Sequence, residues 1–170
     1  MNDSQLIWEA YEGDYLWHGS RNKFDGPIEP RRAKDLSGEP DQNLLAVYAS
    51  EDRDLTIAIA MFPKDAEMFM NANEKPTKMV SVDGQIRHGE MVYLYQVSKD
   101  GFRMARDKDG KPVPSGNPEW VNENPNGVQP IKRFEIPVDD RPDLVRYPPT
   151  SEDMKFYCQY NPKSKYCQVK

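Results

Sequence analysis

Few residues of this 170-residue chain stand where their types and spacing could do chemistry. His88 has no Cys, Asp or His partner at metal-ligand spacing, so it reads as a turn residue and no metal is expected. The Asp107-Lys108-Asp109-Gly110 segment begins like a calcium loop but lacks the later ligands and the closing Glu. There is no Gly-rich phosphate loop, no Gly-x-Ser-x-Gly elbow and no Cys/His nucleophile pair. What remains is His18 beside Gly19, Ser20 and Arg21, then Tyr48, then Glu119. A His ring nitrogen can exchange a hydrogen bond with a hydroxyl, and a Gly lets a flat group come close to the backbone. A Tyr ring laid against such a group contributes ~0.5–1.5 kcal/mol beyond its buried area. A carboxylate can stabilise positive charge that develops only in a transition state. Taken one at a time, each also has a structural reading: a strand-end His, a core Tyr, a solvated Glu.

The elements that must position these residues can be read from apolar runs and turn signals. Residues 15–18 form a short aromatic stretch that ends in His-Gly-Ser, as a strand running into a turn does. Residues 21–42 are a polar loop carrying Arg21, Lys23, Arg31, Arg32 and Lys34, a local excess of positive charge. Residues 44–49 read as a buried strand. A buried helix follows, capped by Ser50 or Asp52, apolar through Leu55, Ile57, Ala58, Ile59, Ala60, Met61 and Phe62, and stopped by Pro63. Residues 65–72, with Met68, Phe69 and Met70, are expected to add a helical turn or two. Residues 78–82, 90–97, 119–123 and 128–138 read as strands separated by Asp-Gly, Asn-Pro and Pro-rich turns. The long loop 98–118 is rich in Lys, Asp, Gly and Pro. The pattern predicts an α+β domain with more strand than helix, and the 15 Pro argue against a helical bundle.

The composition is globular, with 37% hydrophobic, 30% charged and 11% aromatic residues. A net charge of −5 disfavours a general phosphate-backbone binder, whose affinity comes from Lys and Arg displacing counterions. No apolar run is long enough to span a bilayer and the acidic start has no signal-like stretch, so no membrane partner and a cytoplasmic location are expected. Two cysteines, Cys158 and Cys167, are too few for a disulfide framework or a Cys-rich zinc site to hold the core. The length suits one domain over residues 1–138, with a linker and basic aromatic tail over residues 139–170. After Asp153 there is no acid, only Lys155, Lys163, Lys165 and Lys170 among Phe156, Tyr157, Tyr160 and Tyr166. Such a tail either offers a surface to an acidic partner or single-stranded nucleic acid, or folds back on the domain, the commoner fate of a terminus.

Leu16-Trp17-His18-Gly19-Ser20-Arg21 resembles the first nicotinamide-dinucleotide motif of ADP-ribosyltransferases of the poly(ADP-ribose) polymerase and diphtheria-toxin-like branch. Val47-Tyr48-Ala49-Ser50, ahead of a helix that contains Thr56, is similar to the second motif, without the Phe between Tyr and Ala. Glu119-Trp120-Val121-Asn122-Glu123-Asn124-Pro125-Asn126-Gly127-Val128 looks like the third. The three occur in the family's order across residues 14–136. The resemblance implies a split β-sandwich of two small antiparallel sheets with a few short helices, NAD+ as co-substrate, and a His-Tyr-Glu set of His18, Tyr48 and Glu119. It implies that Gly19 pairs with the nicotinamide carboxamide, that Ser20 and Thr56 are hydroxyl partners, and that Arg21 opens the loop beside the pyrophosphate.

The chemistry fits the residue types. Breaking the bond between nicotinamide and ribose builds oxocarbenium-like charge, and a Glu that accepts from a ribose hydroxyl stabilises it most in the transition state. Glu119 and Glu123 are four apart, about 13 Å along a strand, so one ribose cannot be held by both. The Asn-Pro-Asn register favours Glu119 and leaves Glu123 as the alternative. The helix position where the family has a second stacking Tyr holds Ile57, Ala58 or Ile59. The expected activity is transfer of a single ADP-ribose by a monomer to a protein, nucleic acid or small-molecule acceptor. A non-catalytic NAD+ or ADP-ribose binding module and an NAD+ glycohydrolase stay open. An RNA 2′-phosphotransferase is disfavoured, since no set of arginines is clearly placed around a phosphate.

Overall fold

The computed structural model describes residues 15–33, 39–70, 74, 78–114 and 117–168. Lys34 of the basic loop and Lys170 of the tail lie outside the described residues, as does the chain before Tyr15. In chain order the elements are β1 (Tyr15–Ser20), β2 (Arg31–Arg32), β3 (Leu45–Ser50), α1 (Arg53–Ala60), β4 (Met68–Met70), β5 (Met79–Ser81), β6 (Met91–Ser98), β7 (Arg103–Met104), β8 (Glu119–Asn122), β9 (Lys132–Pro137), β10 (Val145–Arg146) and α2 (Ser151–Tyr160). The class is α+β, as the pattern predicts.

One sheet has seven strands in the order β7-β8-β3-β1-β6-β9, with β2 also on β3. Its two halves are unevenly joined. β1 makes six ladder pairs with β6 and β3 makes four with β8, yet β1 and β3 share only Trp17↔Ser50. The second sheet, β10-β5-β4, is mixed: β4 and β5 are antiparallel and β10 runs parallel to β5. The expectation of two antiparallel sheets is therefore corrected for the smaller one. The chain reaches β10 through the 3-10 turns Val138–Asp140 and Pro142–Leu144, so it comes in alongside β5 rather than returning as a hairpin.

Alternation in β1 sends Leu16 and Trp17 to opposite faces. On one face Trp17, Val92 and Leu94 pack with Ile57, Ala58, Ala60, Met61 and Phe62 of α1 and its exit, and with Met79 of the small sheet. On the other, Leu16, Ile28, Val47, Ala49, Tyr95 and Val97 form a separate core. The helix starts where Asp52 caps it, its carboxylate accepting from the Leu55 N–H at 3.0 Å. Full burial of Ile57 contributes about 1.5–3 kcal/mol to holding α1 on the sheet.

The helical turns expected over residues 65–72 are corrected for the described part, where residues 68–70 form β4; residues 71 and 72 lie outside the described residues. Phe69 stacks on Phe156 and Tyr157 of α2, with ring centroids at 5.7 and 5.2 Å, while Met68 and Met70 pack on the main core. That is a strand's period of two, in a run too short to display it in sequence. The C-terminal residues fold back. Arg146 holds the buried Asp153 with a two-pronged contact at 2.7 and 2.8 Å, and lowers its pKa to about 2. Tyr157 Oη and Ser164 Oγ both donate to Glu67. The described residues from 139 to 168 thus supply a strand, a helix and part of the core: the tail folds back on the domain, the commoner of its two expected fates, and the stretch that reads as a linker carries β10 and the start of α2. A disulfide joins Cys158 to Cys167; bonds of this kind persist mainly in oxidising compartments, which stands against the expected cytoplasmic location. Among the described residues no helix is long and apolar enough to cross a membrane.

Candidate functional site

The weak join between β1 and β3 is where the sequence-predicted residues meet. In antiparallel strands, successive residues turn their N–H and C=O to opposite sides. The Val138 N–H to Glu90 carbonyl bond and the Trp17↔Ser50 pair fix that alternation. They put the backbone groups of Trp17 and Gly19 on the edge of β1 that faces β3, and those of Ser50, Tyr48 and Ala46 on the edge of β3 that faces β1. Ser50 pairs with Trp17 of β1, and Ala46 with Arg31 of β2. Between them the Gly19–Tyr48 rung is not part of the ladder. Instead His18 Nδ1 donates to the Tyr48 carbonyl oxygen at 2.6 Å.

That bond fixes the His18 tautomer. With Nδ1 carrying the proton, neutral His18 leaves Nε2 as an acceptor. Burial lowers its pKa, the Tyr48 carbonyl opposes this, and nearby Arg31 adds to the lowering. The neutral ring is the favoured form at neutral pH.

Two clefts open at this break and share His18, Gly19, Tyr48 and Ile59. The first, about 260 Å³, is also walled by Ser50, Leu55, Thr56, Met70, Met79, Pro114, Asn117 and Glu119. Glu119 stands opposite Ser50 in the ladder, on the face that α1 covers. Its backbone is tied on both sides, the N–H to Val113 at 3.1 Å and the carbonyl to Ala105 at 2.8 Å. Glu123 follows the end of β8, is exposed, pairs with Arg103 at 3.3 Å and lines neither cleft. Of the two glutamates, only Glu119 shares a cleft with His18 and Tyr48.

The second cleft, about 210 Å³, is walled by Ser20, Arg21, Asn22, Phe24, Glu29, Arg31 and Arg32 besides the shared residues. Arg21, Arg31 and Arg32 all wall it in an otherwise acidic chain, with Arg32 Nη1 turned to the Asn43 carbonyl at 3.4 Å. Burial lowers the Arg21 pKa, and neighbouring Arg87 and Arg31 lower it further, as cations do when crowded together, with Asp65 opposing them. An anion would relieve that crowding, and Arg suits phosphate oxygens.

Several details differ from the sequence expectation. Gly19 is required first by α1: a Cβ on it would lie 2.2 Å from the Thr56 carbonyl oxygen. Thr56 lines the first cleft, but its Oγ1 already donates to the Arg53 carbonyl at 2.7 Å. Ser20 Oγ accepts from the Asn22 N–H at 2.9 Å and lines only the arginine cleft. Of the three helix candidates opposite the family's second Tyr, Ile57 and Ala58 are buried in the core, and Ile59, 41% exposed, faces both clefts. Tyr48 is held as a neutral phenol, its pKa raised by burial and by the Glu119 charge.

Sequence reasoning missed Asn117, Met70 and Met79. Asn117 donates from Nδ2 to Asp52 at 3.2 Å and so ties the loop before β8 to the start of α1. Nothing around Asn117 marks it in sequence. The methionines come from the small sheet, whose placement over the cleft no local pattern shows. Comparison with protein-family models, curated proteins and solved structures gave no match for this chain.

Proposed function

We propose that this chain is an NAD+-dependent ADP-ribosyltransferase with a split β-sandwich fold, transferring a single ADP-ribose. The observation that carries the reading is the break along β3, where His18, Tyr48 and Glu119 share one cleft that adjoins a second cleft holding three arginines. NAD+ has this division of chemistry: a flat amide-bearing ring and a ribose at one end, a pyrophosphate and adenosine at the other. In this reading the carboxamide pairs with the Gly19 backbone, the nicotinamide ring lies on Tyr48, and the phosphates meet Arg21, Arg31 and Arg32. His18 Nε2 and the Glu119 carboxylate accept from ribose hydroxyls.

The C1′–N bond breaks with its electron pair leaving on nicotinamide, and C1′ becomes oxocarbenium-like. Glu119 holds that charge through the hydroxyl it accepts from. The acceptor's nucleophile then bonds to C1′ and gives up its proton. Incubation of the protein and adenylate-labelled NAD+ with a cell lysate tests this. Nicotinamide release together with a labelled protein, nucleic acid or small molecule supports transfer; free ADP-ribose alone indicates hydrolysis. A second reading, a module that binds NAD+ or ADP-ribose without cleaving it, is favoured by Ile59 at the second ring position and by the engaged Thr56 hydroxyl. Saturable binding without nicotinamide release is its signature.

A further inference from the structure

Tyr48 offers only its ring to the clefts, because its hydroxyl is held elsewhere. Oη donates to the Asp41 carbonyl oxygen at 2.8 Å and accepts from the Leu44 N–H at 3.0 Å. Asp41 sits in the 3-10 turn Pro40–Gln42, where its carboxylate is gripped from another strand. Arg103 of β7 donates from Nη1 to Asp41 Oδ2 at 2.8 Å and from Nη2 to Oδ1 at 3.0 Å, and the Arg106 N–H donates to Oδ2 at 2.8 Å. Two parallel bonds fix the orientation of a carboxylate as well as its position. The ladders set these residues in one row, Tyr48 opposite Val121 and Val121 opposite Arg103. Neither Arg103 nor Asp41 lines a cleft.

We propose that Arg103 and Asp41 are positioning residues that hold the Tyr48 ring in the cleft, Arg103 acting through the Asp41 turn and that turn through the phenol hydroxyl. On the NAD+ reading above, they thereby set the affinity of the site for the flat nicotinamide ring. The ring contact at stake corresponds to about a two- to tenfold change in affinity.

The test labels the tyrosines with 3-fluorotyrosine and assigns the Tyr48 fluorine resonance by its loss in Tyr48→Phe. Without any nucleotide, Arg103→Ala and Asp41→Ala move or broaden that resonance. Arg106→Ala leaves it in place, because Arg106 reaches Asp41 through its backbone. Arg103→Lys, which keeps the charge but not the fork, falls between. With NAD+, Arg103→Ala raises KM about two- to tenfold at nearly constant kcat, and adds less than about twofold in a Tyr48→Phe background, where the link is already cut. A resonance unmoved by Arg103→Ala overturns the proposal. So does a moved resonance with unchanged KM, or losses that multiply in the double variant. If the wild-type chain neither binds nor cleaves NAD+, the functional reading fails, and the resonance alone still decides whether Arg103 and Asp41 hold the ring.

Discussion

Replacing Gly19 by Ala puts a methyl group where the backbone of α1 already is. The added Cβ would lie 2.2 Å from the Thr56 carbonyl oxygen and 2.8 Å from its carbon, and neither is the end of a side chain that can swing away. Reaching ordinary contact near 3.4 Å takes a shift of about 1 Å between β1 and α1, two elements that share a buried core. Overpacking of this kind costs roughly 2–3 kcal/mol. For a chain of this size that lowers Tm by roughly 4–12 °C. Thermal unfolding followed by circular dichroism reads it directly, with Gly26→Ala as the control, since nothing lies within 4 Å of a Cβ there. The same shift moves Thr56 and Ile59, which wall the first cleft, so on the proposed reading NAD+ binding weakens along with the lower Tm. A Gly19→Ala protein melting within about 1 °C of wild type would refute the close packing of α1 on β1. Gly19 would then matter only for what binds in the cleft.

Asp52→Ala removes both the cap on α1 and the tie to Asn117; a loss of ~1–2 kcal/mol in urea unfolding is expected, with Asn117→Ala costing less. His18 has a pKa lowered from 6.5 in the fold, so the unfolded chain binds more protons as pH falls below that value. Stability from this group is complete above pH 6.5 and is lost as pH falls toward the folded pKa, and His18→Gln flattens that part of a stability-against-pH curve. Cys158→Ser opens the disulfide loop; chain entropy predicts a loss of roughly 2–3 kcal/mol, matched by wild-type protein in reductant and absent when both are reduced.

What could be read from the sequence was what is local. The strand that ends at His18-Gly19, the buried strand around Tyr48 and the Asp52-capped helix each carry their signal within ten residues, and each stands within a residue or two of its expected place. β4 did not, because a three-residue strand cannot show a period and its Met and Phe content suits a helix equally. The tail's composition said basic and aromatic; that Phe156 and Tyr157 would find Phe69 depends on a sheet edge far away in sequence. The residues in and around the candidate cleft split the same way. His18, Tyr48 and Glu119 were legible through motif order. Asn117 and the Arg103–Asp41 pair were not, since they act through contacts that only the folded sheet creates.

The most direct test of the central claim compares nicotinamide release from NAD+ by the wild-type, Glu119→Gln and Glu123→Gln proteins. Removing one group that stabilises transition-state charge costs about 10²–10³ in kcat. That loss is expected in Glu119→Gln with KM little changed, and Glu123→Gln, outside both clefts, should stay within about threefold of wild type. No release by the wild-type protein at any NAD+ concentration, or an equal loss in Glu123→Gln, would contradict the account.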